Sequence, residues 1–204
     1  MMQTVRVPLA SNALYVSGTV NGVDKVWTRD EGNWWYTTAE RATDGVYRIV
    51  LSIIYGDGKT ATDSFTLYYG LVLVTDRTQA DVINGTDKGS YNASDLNRVG
   101  AAMVYLKDKF NDNGYSIDIT PKTDWKEIDV PTESDMTLYL SCLGTLRDVL
   151  SFPQNTPKTP DNMKDLTYIT ANNIEKILES VDAMLSKSIT FIWYSGDLYS
   201  GEVI

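Results

Sequence analysis

The apolar residues of this chain repeat every second position in its first third and every third or fourth position in its last half. A period of two places side chains alternately on the two faces of a strand. A period near 3.6 places them along one stripe of a helix. No single regular element satisfies both, so the chain is expected to hold a β-rich front and a helical back.

The front alternates from its start. Leu14, Val16, Gly18 and Val20 interleave with Tyr15, Ser17 and Thr19, and Asn21-Gly22 follows, a strong signal for a two-residue hairpin turn. Val26-Trp27 and Trp34-Trp35-Tyr36 come next, then a turn at Asp44-Gly45. In the clearest strand Tyr47, Ile49, Leu51, Ile53 and Tyr55 share one face, and Val46, Arg48, Val50 and Ser52 the other. Gly56-Asp57-Gly58 turns the chain again, and Phe65, Leu67 and Tyr69 alternate with Ser64, Thr66 and Tyr68. Short strands separated by polar turns predict an antiparallel sandwich of six or seven strands. Adjacent Trp34 and Trp35 point opposite ways on an extended chain, so one is expected in the core and the other on the surface.

The back steps by three and four. Leu96, Val99, Met103, Leu106 and Phe110 form one stripe; Met136, Tyr139, Leu143, Leu146 and Leu150 a second; Ile174, Ile177, Val181 and Met184 a third. Asn92 with Asp95, Thr132 with Glu133 and Asp135, and Thr170 with Glu175 read as the three helix starts, because polar caps satisfy orphan amides and acids favour the positive helix end. Gly114 and Pro153 mark helix ends. The proline-containing connections 111–131 and 151–169 are expected to be ordered straps, anchored by Trp125 and Ile128 and by Leu166 and Tyr168. The run Leu71-Val72-Leu73-Val74 either finishes the sandwich or bridges the two units, and the polar stretch 84–90 is the expected hinge. The apolar residues 189–193 precede a tandem repeat, Tyr194-Ser195-Gly196-Asp197-Leu198 and Tyr199-Ser200-Gly201-Glu202-Val203, and predict a late strand.

Side-chain chemistry narrows the function more than it names it. The chain has no histidine and one cysteine, Cys142, which removes Ser-His-Asp and Cys-His pairings and the usual zinc ligands. Cys142 lies beside Leu140 and Leu143 and reads as an inert core thiol. Net charge is −9, concentrated at the back: residues 1–74 carry 6 Lys/Arg against 7 Asp/Glu, and 75–204 carry 12 against 20. Such a surface repels phosphates, so no nucleic-acid partner is expected. There is no apolar leader and no run long enough to span a bilayer, so neither secretion by a signal peptide nor membrane insertion is expected. Asp57 near Asp63 lacks the spacing of a calcium loop, and Thr75-Asp76-Arg77-Thr78 reads as a hydrogen-bonded cap. No nucleotide-binding glycine pattern and no fixed carboxylate pair appear. The expectation is therefore no catalytic residues, no metal and no cofactor. The large rings of Trp34, Trp35, Trp125, Trp193, Tyr194 and Tyr199 are the candidates for an interface or a sugar-stacking site, with core filling as their simpler role.

Several word-like stretches carry a resemblance. Residues 71–82 (from Leu71 through Thr75-Asp76-Arg77-Thr78 to Val82) and 88–100 (including Tyr91-Asn92-Ala93-Ser94-Asp95-Leu96) look like a module in minor structural and tail-associated proteins of tailed phages and prophages of Firmicutes. Pro121-Lys122-Thr123-Asp124-Trp125, Leu166-Thr167-Tyr168, the stretch 171–178 and the terminal Tyr-Ser-Gly repeats resemble its later parts. Ser17-Gly18-Thr19-Val20-Asn21-Gly22 and Asp44-Gly45-Val46-Tyr47 resemble Ig-like domains that decorate phage and bacterial surface proteins. The resemblance covers about residues 10–204, and the segment between Arg77 and Tyr91 is shorter here than in the related modules. It implies an α+β, multidomain chain: an Ig-like antiparallel β-sandwich over 1–74, a linker over 75–91, and a three-helix bundle with a short C-terminal strand over 92–204. It further implies a non-enzymatic virion protein of the tail or baseplate, made in the host bacterial cytoplasm. Its work would be assembly or host attachment, and its partners other virion proteins and further copies of itself. A carbohydrate-binding module acting on a host-surface glycan is the alternative.

Overall fold

The computed structural model describes the backbone of residues 2–196 and the side chains of residues 2–188. The chain is a mixed α+β protein that divides into two compact units, Met1–Tyr69 and Gly70–Ile204.

The first unit holds seven strands: β1 (Met2–Pro8), β2 (Ala13–Val20), β3 (Val23–Val26), β4 (Thr28–Arg29), β5 (Trp34–Glu40), β6 (Val46–Tyr55) and β7 (Thr60–Tyr68). They form two antiparallel sheets, ordered β1-β5-β4 and β3-β2-β6-β7. The alternation read in β6 holds: Tyr47, Ile49, Leu51 and Ile53 are sealed from solvent, while Arg48, Val50 and Ser52 face out. Burying each aliphatic side chain of that row is worth about 2 kcal/mol. Val5 and Val7 of β1 and Trp35 and Ala39 of β5 join the same core as Val16 and Val20 of β2. Asn21 and Gly22 both take positive φ, 51° and 78°, and join Val20 to Val23 in the tight turn that matches strand twist. The Asn21 side chain then accepts from the Arg48 amide at 2.7 Å, tying that turn to the neighbouring strand.

Gly18 is fixed by a close approach. A Cβ there would lie 2.1 Å from the Val50 carbonyl oxygen, and its φ of 154° suits no other residue well.

The second unit begins where Gly70, at φ 90°, turns the chain out of β7. The apolar run after it is not a strand of the first unit. Leu71 and Leu73 pack on the helical core instead, so the boundary falls at 69–70 and not at 74. Residues 75–91 are likewise not a free linker. They contain a short helix, α1 (Gln79–Ile83), and a 3₁₀ turn (Asp87–Gly89). Thr78 and Asp81 cap α1 reciprocally, and hydrogen bonds from the Thr78 hydroxyl and backbone N–H hold the Asp81 carboxyl below its usual range.

Three longer helices follow: α2 (Ala93–Asp112), α3 (Glu133–Asp148) and α4 (Tyr168–Gly196). Asn92 with Asp95 and Thr132 with Asp135 form capping boxes on α2 and α3. The third start lies three residues before the one expected after Thr170: α4 opens at Tyr168, and the Thr167 hydroxyl accepts from the Thr170 amide at 3.1 Å. Gly114, at φ 87°, ends α2. Leu96, Met103, Leu106, Phe110, Leu143, Leu146, Ile174, Ile177 and Val181 share one core contributed by all three helices. Arg98 meets Glu175, and Lys109 meets Asp182, so α2 and α4 run in the same direction. Residues 189–193 continue α4 and form no strand. A five-residue apolar run fits either state, and here the backbone stays helical. Tyr199 and the second copy of the repeat lie outside the described residues.

The strap between α2 and α3 is ordered by asparagines that imitate a backbone partner. Asn97 accepts from the Trp125 amide at 2.7 Å and donates to the Trp125 carbonyl at 2.9 Å. Asn111 does the same to Ile117, at 2.7 and 3.0 Å. Gly100 lets the strap lie close, since a Cβ there would sit 2.8 Å from the Lys122 carbonyl oxygen. Trp125 and Leu166 pack on the core as expected, but Ile128 is 85% exposed and anchors nothing; Ile117 and Ile119 take that role. Cys142 is buried, and burial pushes its thiol pKa up. Among the described residues no helix is long and apolar enough to cross a membrane.

Gly18→Ala is expected to destabilise the first unit by about 3 kcal/mol, because the added methyl collides with backbone that cannot step aside. Urea unfolding followed by tryptophan fluorescence measures it. A loss within the range of an exposed substitution would contradict the close approach.

Candidate functional site

The densest polar chemistry of the molecule is buried in the second unit. Arg77 leaves the segment after Gly70, Asp95 and Arg98 project from the first turns of α2, and Glu175 projects from α4; all four are at least nine-tenths buried. Arg77 Nη2 lies 2.8 Å from Asp95 Oδ1, and Arg77 Nη1 lies 2.8 Å from Glu175 Oε1. Arg98 Nη2 lies 2.6 Å from Asp95 Oδ1 and 3.0 Å from Glu175 Oε1, and Arg98 Nη1 also donates to Glu175 Oε2. Two cations and two anions thus share one site with zero formal charge.

Backbone groups complete it. The Val74 amide donates to Glu175, Arg77 Nη1 donates to the Val74 carbonyl at 2.6 Å, and Arg98 donates to the Val72 carbonyl at 3.3 Å. Asn172 of α4 accepts from the Arg77 amide at 3.0 Å and donates to the Arg77 carbonyl at 2.8 Å, the same device that holds the strap between α2 and α3. The Arg77 guanidinium lies 5.3 Å from the Tyr91 ring centre, and the Tyr91 hydroxyl meets the Tyr139 hydroxyl of α3 at 2.6 Å. The segment before α1 is therefore fastened to α2 and α4 directly and linked to α3 through two phenols.

Two opposing effects act on the Arg98 guanidinium. Burial alone would lower the Arg98 pKa, but hydrogen bonds and charge from Glu175, then Asp95, raise it instead. Burial raises both phenols above the usual tyrosine range, Tyr91 against a lowering hydrogen bond from Tyr139. The cluster's hydrogen-bonding groups already have internal partners except Arg77 Nε. It ties three separate stretches of the chain together. Among the described residues no three His, Cys, Asp or Glu side chains converge as metal ligands do.

Of the aromatic candidates whose side chains are described, Trp34 is exposed and Trp35 and Trp125 are buried. Trp34 is the exposed member of its pair at 44%, with the Arg6 guanidinium 5.8 Å from its ring centre and Arg6 in turn paired with Asp30. Trp35 points into the core of the sheets, so it is no surface contact. Trp125 is also buried, beneath the Lys122 ammonium at 4.0 Å from its ring centre. Trp193 and Tyr194 fall in the last turns of α4, where side chains lie outside the described residues, as does Tyr199 entirely.

One group of exposed apolar side chains lies on the outer face of the four-stranded sheet. Tyr15 of β2 is directly opposite Ile54 of β6, and Val50 stands between Thr19 and Ser64. Val26, Ser17, Ser52 and Thr62 make a row across four strands. Tyr15, Val26, Val50 and Ile54 are all more than 40% exposed. The paired positions bring charge to this face only at Asp24 and Arg48.

Sequence reasoning missed the buried ion cluster and this sheet face. Arg98 and Glu175 adjoin the apolar stripes of α2 and α4, and charges at such positions were the available signal. The sheet face had a weaker one: its outward residues are hydroxylic and β-branched where polar charges are usual.

No protein-family model matches the chain, and no curated protein or solved structure matches it either.

Two outcomes follow from the cluster. Glu175→Gln leaves two buried guanidinium groups facing one carboxylate and is expected to cost the second unit about 3–5 kcal/mol, read as an earlier urea transition with the first unit's transition unmoved. The phenols set an alkaline limit: with folded pKa values raised, their contribution is full below about pH 10 and is lost as pH rises through the folded values. Urea midpoints at rising alkaline pH should fall, and should fall less in the Tyr91→Phe/Tyr139→Phe double variant.

Proposed function

We propose that the chain is a non-enzymatic structural component of a tailed-phage or prophage virion, associated with the tail or baseplate, in which an Ig-like β-sandwich precedes a three-helix bundle. The observation that carries this reading is the nearly uncharged outer face of the four-stranded sheet, with Tyr15, Val26, Val50 and Ile54 exposed. An apolar patch of this kind on a chain of net charge −9 is characteristic of a surface that meets another protein. The buried ion cluster supports the same reading, since its polar chemistry is spent on holding straps to helices. The resemblance of residues 71–100 and of the later motifs to tail-associated modules gives the assembly its setting. In this role the chain is made in the host cytoplasm and incorporated into the particle through contacts with other virion proteins and with further copies of itself.

Trp34 favours a second reading, a carbohydrate-binding module for a host-surface glycan. Its exposed ring lies beside Arg6 and Asp30, and an aromatic face flanked by polar groups suits a sugar ring.

Gold-labelled antibody against the chain should decorate tails or baseplates of intact particles. Antigen confined to lysates and absent from purified particles would reject the virion role. For the second reading, retention on host cell-wall material should drop about tenfold in Trp34→Ala, the loss of one stacking anchor; unchanged retention, or none in the parent protein, would reject it.

A further inference from the structure

The strand β7 closes one side of the four-stranded sheet and pairs only with β6. Sheet edges in soluble proteins are commonly blunted by charge, proline or shortness. The other edges here follow that rule. β3 carries Asp24 and Lys25 in four residues, β4 is two residues long, and β1 carries Arg6 and ends at Pro8. β7 differs: nine residues, no proline, no lysine or arginine, and no register shift against β6.

Its free hydrogen-bonding groups can be assigned. The Tyr55 amide donates to the Lys59 carbonyl and the Tyr69 amide to the Gly45 carbonyl, one at each end of the β6–β7 ladder. Hydrogen-bonded pairs alternate in an antiparallel ladder, so Ala61, Asp63, Phe65 and Leu67 bond to β6. Thr60, Thr62, Ser64, Thr66 and Tyr68 therefore turn their amides and carbonyls to the open edge. One contact bears this out independently: the Ser64 amide, at the midpoint, is covered by the carboxylate of its own neighbour Asp63 at 3.0 Å.

We propose that β7 is a self-pairing edge, that its partner is the β7 of a second copy running antiparallel about Ser64, and that Asp63 is the latch that restrains it. In this register Ser64 faces Ser64 of the other copy, Thr62 faces Thr66, and Thr60 faces Tyr68. All five outward residues of each strand bond, and every one of these facing pairs is uncharged. On the opposite face Ala61 meets Leu67 and Asp63 meets Phe65, so no like charges stand directly opposed. A second copy thus meets the uncharged outward row of this edge with an uncharged row of its own. Forming the central pair requires each Ser64 amide to leave Asp63, which weakens association without preventing it. Two four-stranded sheets would then run on as one, with their hydroxylic and apolar outer faces continuous. The inference deepens the assembly reading and rests on it only for where the contact acts, since the contact itself is tested in purified protein.

Sedimentation equilibrium of the full chain and its variants decides it, with circular dichroism confirming the fold. The parent chain should associate reversibly to dimers, and Asp63→Ala should tighten that association about tenfold, since one amide on each copy is released. Ser64→Lys and Ser64→Glu should each be monomeric, and an equimolar mixture should recover a heterodimer, because only a register centred on Ser64 puts the two new charges opposite one another. Thr66→Pro is a second test: it removes an outward amide that β6 does not use, so the fold should survive and the dimer should not. Association unaffected by Thr66→Pro, or a Ser64→Lys/Ser64→Glu mixture that stays monomeric, overturns the proposal. So does an Asp63→Ala chain that associates no more tightly than the parent. Loss of the dimer together with particle labelling would reject the edge and leave the virion role standing; a dimer in a protein absent from particles would do the reverse.

Discussion

The second unit depends on a pair of arginines held between a pair of carboxylates. Arg77, Arg98, Asp95 and Glu175 come from three separate stretches of chain and meet away from water. Isolated, each charge would be costly to bury; together they neutralise one another and occupy nearly all their donors and acceptors. The cluster also determines what the preceding residues can be. Val72, Val74 and Arg77 give backbone groups to it, so the segment after Gly70 joins the helices instead of extending β7. The domain boundary is in this sense an electrostatic outcome.

A second economy runs through the same unit. Long connections normally leave backbone groups without partners, and these would be costly when covered by side chains. Asn97, Asn111 and Asn172 each present an amide to both the N–H and the C=O of one residue on a neighbouring stretch. Each supplies from a helix the two hydrogen bonds that an adjacent strand would have made. The connection between α2 and α3 and the segment before α1 are thereby held by paired hydrogen bonds.

The sheets of the first unit are governed by alternation, and here the sequence was readable at the level of single residues. The inward row of β6, the Asn21-Gly22 turn and the division of Trp34 from Trp35 all follow from side chains pointing to opposite faces on an extended chain. The capping boxes at Asn92 and Thr132 were equally legible, because a cap is satisfied within four residues. Reading failed where the deciding partner was distant. Residues 189–193 look like a strand by composition but extend α4, and Ile128 looks like an anchor but is exposed while Ile117 and Ile119 are not. Trp35 and Trp125 are buried for a related reason: ring size marks a residue as costly to expose, and does not say which of several rings the core has room for.

What the sequence determined by itself was the local order: two periods, the turns and two of the three long-helix starts. Those are short-range properties, set by steric preference and by hydrogen bonds spanning a few residues. Only the tertiary structure decided which charges are buried together, which strand is left at an edge, and which exposed apolar residues lie side by side. Arg77 and Glu175 are 98 positions apart in the chain, and Val26 and Thr62 belong to one row only once four strands have aligned. Neighbourhoods of that kind arise from packing, which no local pattern encodes.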